Sequence, residues 1–340
     1  MEAGDAPVSV AHPSPALHAQ MIHRWWPRAA ASLALGLTLP GCQPRGLAAG
    51  DGRLPVEGGS LFYRVIGSGA GTPVLLLHGG PGYTGHYLEP LARALSTDRP
   101  VIVYDQLGAG RSDRITDTTL LRIDRFVREL DSLRRALRLD RIHLYGHSWG
   151  TMLALEYLAT KPRGIVSVTL ASPLITSAAW SRDGQALLKT MPDSIQRIVA
   201  AHEAAGTTAS QQYQDASFAY MERYVFGMEP PFPPEVDSAI AGYSPLVYET
   251  MWGPSEFTPT GSLKHFDRSA VLRELRMPVL FTVGRHDEAT PETVQRFARD
   301  VSNAQVRIFE RSAHMAMVTE RDAYAVAVSA FLRAAERNSP

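Results

Sequence analysis

Three apolar runs, VLLLH from Val74, VIVYD from Val101 and IHLYG from Ile142, each end in a glycine-rich or polar turn. Between them lie segments of another rhythm. In LLRIDRFVRELDSLRRAL the apolar positions Leu120, Ile123, Val127, Leu130, Leu133 and Leu137 recur every three or four residues, the spacing of a helix with one buried face. Strand, helix and strand in this order demand a parallel sheet covered by helices on both faces, because a parallel partner can be reached only through a crossover. The runs IVSVTLAS from Ile165, VLFTVG from Val279 and VRIFE from Val306 continue the pattern, and AYAVAVSAFLRAAE from Ala323 reads as a closing helix. One stretch breaks the rhythm. Residues 173–265 carry helical patterns but few strand runs, with the proline-rich GMEPPFPPEV from Gly227 and the turn WGPSEFTPTGS from Trp252. An insertion between two strands is expected to form a helical cap over the carboxyl edge of the sheet, where α/β folds bind ligands. The expectation is an α/β fold with a mostly parallel central sheet, its core divided into residues 54–172 and 266–340.

Charge and cysteine usage narrow the function. Lys plus Arg and Asp plus Glu both number 34, so no net field recruits nucleic acid, and a small neutral or zwitterionic partner fits better. The single cysteine, Cys42, excludes an intramolecular disulfide. It ends MIHRWWPRAAASLALGLTLPGC, which has a basic start at Met21, a short apolar run from Ala29 to Leu39, and Gly41 before the cysteine. That is the layout of an export signal, and LPGC resembles a bacterial lipoprotein processing site. Residues 1–42 are therefore expected to be an export signal, with Cys42 as the lipidation candidate and the cell envelope as the location; a cytoplasmic protein is the alternative. Met1 and Met21 both remain open as the start. Residues 43–53, QPRGLAAGDGR, read as a flexible tether.

The chemistry starts at GHSWG, Gly146 to Gly150, which follows a strand run and opens the helical TMLALEYLAT. This is the setting of a nucleophile elbow, whose glycines let strand and helix approach while the serine is held exposed. Ser148 is the candidate nucleophile. A serine hydroxyl needs a base, and the base needs an orienting acid. His314, in ERSAHMAMV after the last strand run, is better placed than His202 or His265 in the insertion, or His286 in the acid's own loop. Asp287 follows the strand VLFTVG and gives the order Ser148, Asp287, His314, which is that of the α/β-hydrolases. The developing oxyanion needs fixed donors. HGGPG, His78 to Gly82, supplies the Gly80 amide, and the residue after the nucleophile supplies that of Trp149. His78 and His147 read as structural.

HGGPG, YDQLGAGRSD from Tyr104, GHSWG, MWGPSEFTPTGSLK from Met251, GRHDEATPE from Gly284 and SAHMAM from Ser312 occur in this order. Together they resemble the proline iminopeptidases of the α/β-hydrolase superfamily, over roughly residues 56 to 335. Leu107 and Ala316 depart from the family's usual residues. The resemblance implies a serine aminopeptidase that releases an N-terminal residue, commonly proline, from short peptides through an acyl-enzyme. It also implies that Glu256 and Glu288 bind the substrate's free amino group. An amidase or carboxylesterase on the same scaffold is the alternative, and the chemistry needs no cofactor and no metal. Nothing in the sequence fixes the oligomeric state.

Overall fold

The computed structural model describes residues 47–337. The export signal and the lipidation candidate Cys42 lie outside these residues. Eight strands form one sheet: β1 (Gly50–Val56), β2 (Gly59–Ile66), β3 (Val74–Leu77), β4 (Val101–Asp105), β5 (Ile142–His147), β6 (Ile165–Ala171), β7 (Val279–Gly284) and β8 (Ala304–Phe309). Their order across the sheet is β1-β2-β4-β3-β5-β6-β7-β8. β2 pairs antiparallel with β1 and β4, and every other pairing is parallel. All residues of β3, β4, β5 and β7 are buried, as expected of parallel strands covered on both faces, which read as unbroken apolar runs rather than alternating ones.

The tether reading of residues 43–53 is corrected at its end. Gly50 to Val56 is an edge strand in register with Gly59 to Val65. It lacks an apolar run because one edge and much of both faces meet solvent, so its residues are exposed or half-buried. The amphipathic segment after Leu120 is a helix at Ile123–Ala136 that buries Phe126, Leu130 and Leu133 against the sheet. The closing helix spans Arg321–Arg337.

Between β6 and β7 lie the helices Ser177–Leu188, Asp193–Ala205, Gln211–Met221, Pro234–Ala241 and Pro245–Met251, with a π-helical turn at Glu222–Phe226. A bridge between Thr176 and Asp267 ties the two ends of this insertion together. The insertion carries its own apolar cluster, including Leu188, Val199, Tyr213, Tyr220 and Phe257. Asp183 on its first helix accepts a 2.8 Å hydrogen bond from Thr290 Oγ1, close after the Asp287–Glu288 pair.

Candidate active site

The nucleophile elbow is built by close approach. β5 ends at His147, Ser148 takes φ 55° and ψ −123°, and the helix Trp149–Ala159 begins at the next residue. A positive φ strains any residue with a side chain and persists only where the surroundings over-determine it. Here they do. A Cβ on Gly146 would lie 2.4 Å from the Gly150 carbonyl oxygen, and one on Gly150 would lie 2.4 Å from that of Leu77. The Ser148 amide is held by the Ala171 carbonyl of β6 at 3.0 Å.

The structure brings His314 and Asp287 together. His314 Nδ1 donates to Asp287 Oδ1 at 2.7 Å, since the carboxylate can only accept, so Nε2 is left for the proton of a nucleophile. Asp287 is itself saturated, because Oδ1 accepts from the Ala289 amide at 2.8 Å and Oδ2 from the Gly284 amide at 3.3 Å. His314 and Ser148 line one cavity of about 70 Å3, together with Gly80, Glu256 and Glu288. The Gly80 and Trp149 amides have no acceptor among the described residues, as donors awaiting an oxyanion require. Met221, Val225, Phe226 and Met315 supply an apolar part of the wall, beside Tyr83, Tyr87, His147 and Tyr248. The other candidate histidines stay apart: His202 bonds Thr207 within the cap, and His265 and His286 are exposed.

Two hydrogen-bonded bridges hold the oxyanion loop to the elbow, and neither is evident from the motifs. Gln106 donates from its backbone to His78 Nε2 at 2.9 Å and from its side chain to the His78 carbonyl at 3.3 Å, while its Oε1 accepts from Trp149 Nε1 at 2.7 Å. The second bridge passes through Tyr87 and His147. The His314 carbonyl can only accept, so His147 Nε2, 3.0 Å away, carries the proton. His147 Nδ1 then accepts from the Tyr87 hydroxyl at 2.7 Å, and that oxygen accepts from the Gly79 amide at 2.7 Å. Burial holds the His147 imidazolium well out of reach, with its neighbour His314 adding to the effect, which keeps this direction of bonds intact.

The two glutamates differ. Glu256 Oε2 accepts from the Tyr248 hydroxyl at 2.5 Å and Oε1 from Trp180 Nε1 at 3.3 Å. Glu288 is 4% exposed, its Oε1 stands 3.9 Å from His314 Nε2, and its Oε2 has no partner among the described residues. Burial drives its pKa well above the ordinary carboxylate range, and the charges of Glu256 and Asp287 push the same way. Tyr248 and Trp180 escape sequence reading because neither belongs to a recognisable motif. Tyr248 alone gives a local sign, lying shortly before MWGPSE. A larger, open cavity of about 740 Å3 runs along the seam between cap and core at Tyr224, Arg285 and Arg311, and does not include Ser148.

Residues 72–320 match the family described as the alpha/beta hydrolase fold. Fold and site together define a serine hydrolase of that fold. The chain is 43% identical over 284 residues to a proline iminopeptidase of Heyndrickxia coagulans, an alignment spanning 83% of this chain and 98% of that protein. It is 38% identical to a proline iminopeptidase of Levilactobacillus brevis, across 83% of this chain and 95% of the other. The crystal structure of a Mycobacterium smegmatis proline iminopeptidase superimposes with a TM-score of 0.77 at 30% identity, covering 84% of this chain and 98% of that one. The protein belongs to the proline iminopeptidase family.

Proposed function

We propose that the protein is a serine aminopeptidase that releases an N-terminal residue, proline foremost, from short peptides through an acyl-enzyme on Ser148. The observation that carries this reading is the pair of carboxylates, Glu256 and Glu288, in the same small apolar cavity as the nucleophile. A plain esterase gains nothing from two acids beside its acyl group, one buried and one half-buried, whereas a free α-ammonium needs such acceptors. The space of about 70 Å3 corresponds to roughly five to seven water sites at about 10–15 Å3 each, enough for one prolyl ring and too little for an extended chain.

In the proposed reaction the ammonium sits between Glu256 and Glu288 and sets the scissile carbonyl over Ser148. Oγ attacks that carbonyl as His314 Nε2 takes its proton. The resulting imidazolium is stabilised through Nδ1 by Asp287, and the oxyanion by the Gly80 and Trp149 amides. Each such donor contributes on the order of 3–4 kcal/mol. His314 then gives the proton to the leaving amine, and water repeats the sequence to free the amino acid.

A panel of prolyl and other aminoacyl arylamides, each with a free and a blocked amino group, tests the reading against Ser148→Ala as the blank. Preference for free amines by about 10-fold or more supports it; equal cleavage would move the assignment to an amidase or carboxylesterase. The same proposal includes export through residues 1–42 and membrane anchoring by lipidated Cys42, supported by the basic, apolar and LPGC layout of that segment. Radiolabelled fatty acid incorporated by the wild type and lost in Cys42→Ser would bear it out.

A further inference from the structure

Glu288 is buried in the cavity with its Oε1 3.9 Å from His314 Nε2 and with its Oε2 lacking a hydrogen-bond partner among the described residues. Its neighbour Asp287 has the His314 imidazole and two amides, and Glu256 across the cavity has two neutral donors, but Glu288 Oε2 has none among the described residues. Among the described residues no lysine or arginine lines the cavity. The basic residues on the adjoining elements are engaged elsewhere: Arg285 with Glu310, and Arg182 with Asp183. The other titratable groups around the pair are the phenols Tyr83, Tyr87, Tyr220, Tyr243 and Tyr248, each pushed toward the neutral form by desolvation, and the imidazoles of His147 and His314. His286, on the same loop, is exposed. A fully buried carboxylate that faces a second, half-buried one with no lysine or arginine beside it cannot ionise at ordinary cost, because Glu288 loses its hydration and the two charges repel.

We propose that the empty site stores one proton on the Glu288–Glu256 pair, and that the substrate's ammonium displaces it. This rests on the amine-binding role given to the two glutamates above. The exchange is balanced: a carboxyl group plus R2NH2+ gives a carboxylate–ammonium pair and one H+ released to solvent. A free-base amine that enters and takes the carboxyl proton reaches the same complex with the same net count. Burial of Glu288 and the adjacent acids favours the protonated form of the empty site and supports the stored proton. The pair thereby carries one negative charge both without substrate and with it, the ammonium taking the place of the proton. A blocked amine brings no charge and leaves the proton in place, so the site selects for charge rather than shape alone. In consequence, affinity for a cationic amine rises about tenfold per pH unit until the stored proton is lost without substrate, then levels off.

Titration calorimetry of prolinamide into Ser148→Ala, at one pH in phosphate and in Tris, counts the protons through the buffers' different ionisation enthalpies. The expected result is about one proton released per amine bound, and close to none with Glu288→Gln, which also binds more weakly. Binding by Ser148→Ala with no buffer dependence would overturn the proposal while leaving the amine clamp intact. Failure of Ser148→Ala to prefer prolinamide over its N-blocked analogue would instead overturn the clamp, and this proposal with it. Glu288→Gln keeps His314, so a full proton count surviving in that variant would trace the proton to the imidazole and also overturn the proposal. The wild-type enzyme supplies a readout independent of any variant: KM for a free aminoacyl substrate falls with rising pH over a range where KM for its blocked counterpart is flat. Parallel profiles for the two would contradict it.

Discussion

The two walls of the catalytic cavity follow opposite rules. Around the elbow the supporting side chains are tied down: Asp287 by His314 and two amides, His147 by Tyr87 and the His314 carbonyl, Trp149 Nε1 by Gln106. Of the two glutamates proposed to receive the amine, Glu256 is held by Tyr248 and Trp180, whereas Glu288 is buried and its Oε2 lacks a donor among the described residues. Satisfied networks are stiff, and stiffness serves groups that must meet a transition state within a fraction of an ångström. An unsatisfied group destabilises the empty protein, yet that deficit is recovered when a cation arrives. The difference separates residues that serve chemistry from residues that serve recognition.

The largest expected effect breaks the stiff side. Asp287→Asn keeps the shape of the side chain but favours the wrong tautomer of His314, placing the proton on Nε2 where the serine must be accepted. A loss of about 10⁴-fold in kcat is expected, by analogy with other triads. KM should change little, because the amine site is untouched. A kcat within tenfold of wild type would remove Asp287 from the role of orienting acid.

Next in size is the recognition side. Glu256→Gln removes one charge-assisted contact of about 1.5–3 kcal/mol, which corresponds to roughly 10- to 150-fold in kcat/KM for free aminoacyl arylamides. Short-chain esters that lack the amine should be cleaved within about threefold of wild type. Equal losses on both substrates would mean that Glu256 shapes the cavity instead of binding charge.

How much of this was legible in the sequence follows the same division. The elbow could be read because its strain demands Gly146 and Gly150 at fixed places, and the acid and histidine because they sit in loops after apolar strands. The insertion could be read because it interrupts a strand rhythm, and the bridge from Thr176 to Asp267 falls close to the 173–265 boundaries. What stayed hidden were partners joined only by folding. Tyr87 meets His147 across 60 residues, Trp149 meets Gln106 across 43, and Trp180 meets Glu256 across 76. No local periodicity encodes such contacts. Strand β1 was hidden for another reason, since a half-exposed edge places no demand on apolar sequence and tolerates Gly52 and Pro55.

The smallest effect concerns stability, and its sign distinguishes the two walls most directly. The carboxyl pKa of Glu288 is raised in the folded state, so the folded protein binds that proton more tightly than the unfolded chain does. Its contribution is harmless below the unfolded value of about 4.5 and becomes a growing penalty as pH rises toward the folded value. Glu288→Gln removes the ionisable group and with it the penalty. The variant should unfold at a temperature higher by a few degrees at pH 8, at roughly 2–4 °C per kcal/mol for a domain of this size. The gain should shrink toward nothing near pH 4. Asp287→Asn, which breaks a satisfied network, should move the midpoint downward at pH 8. Thermal scans of both variants across this range measure the contrast, and a Glu288→Gln protein less stable than wild type at pH 8 would mean that the site is not under electrostatic strain.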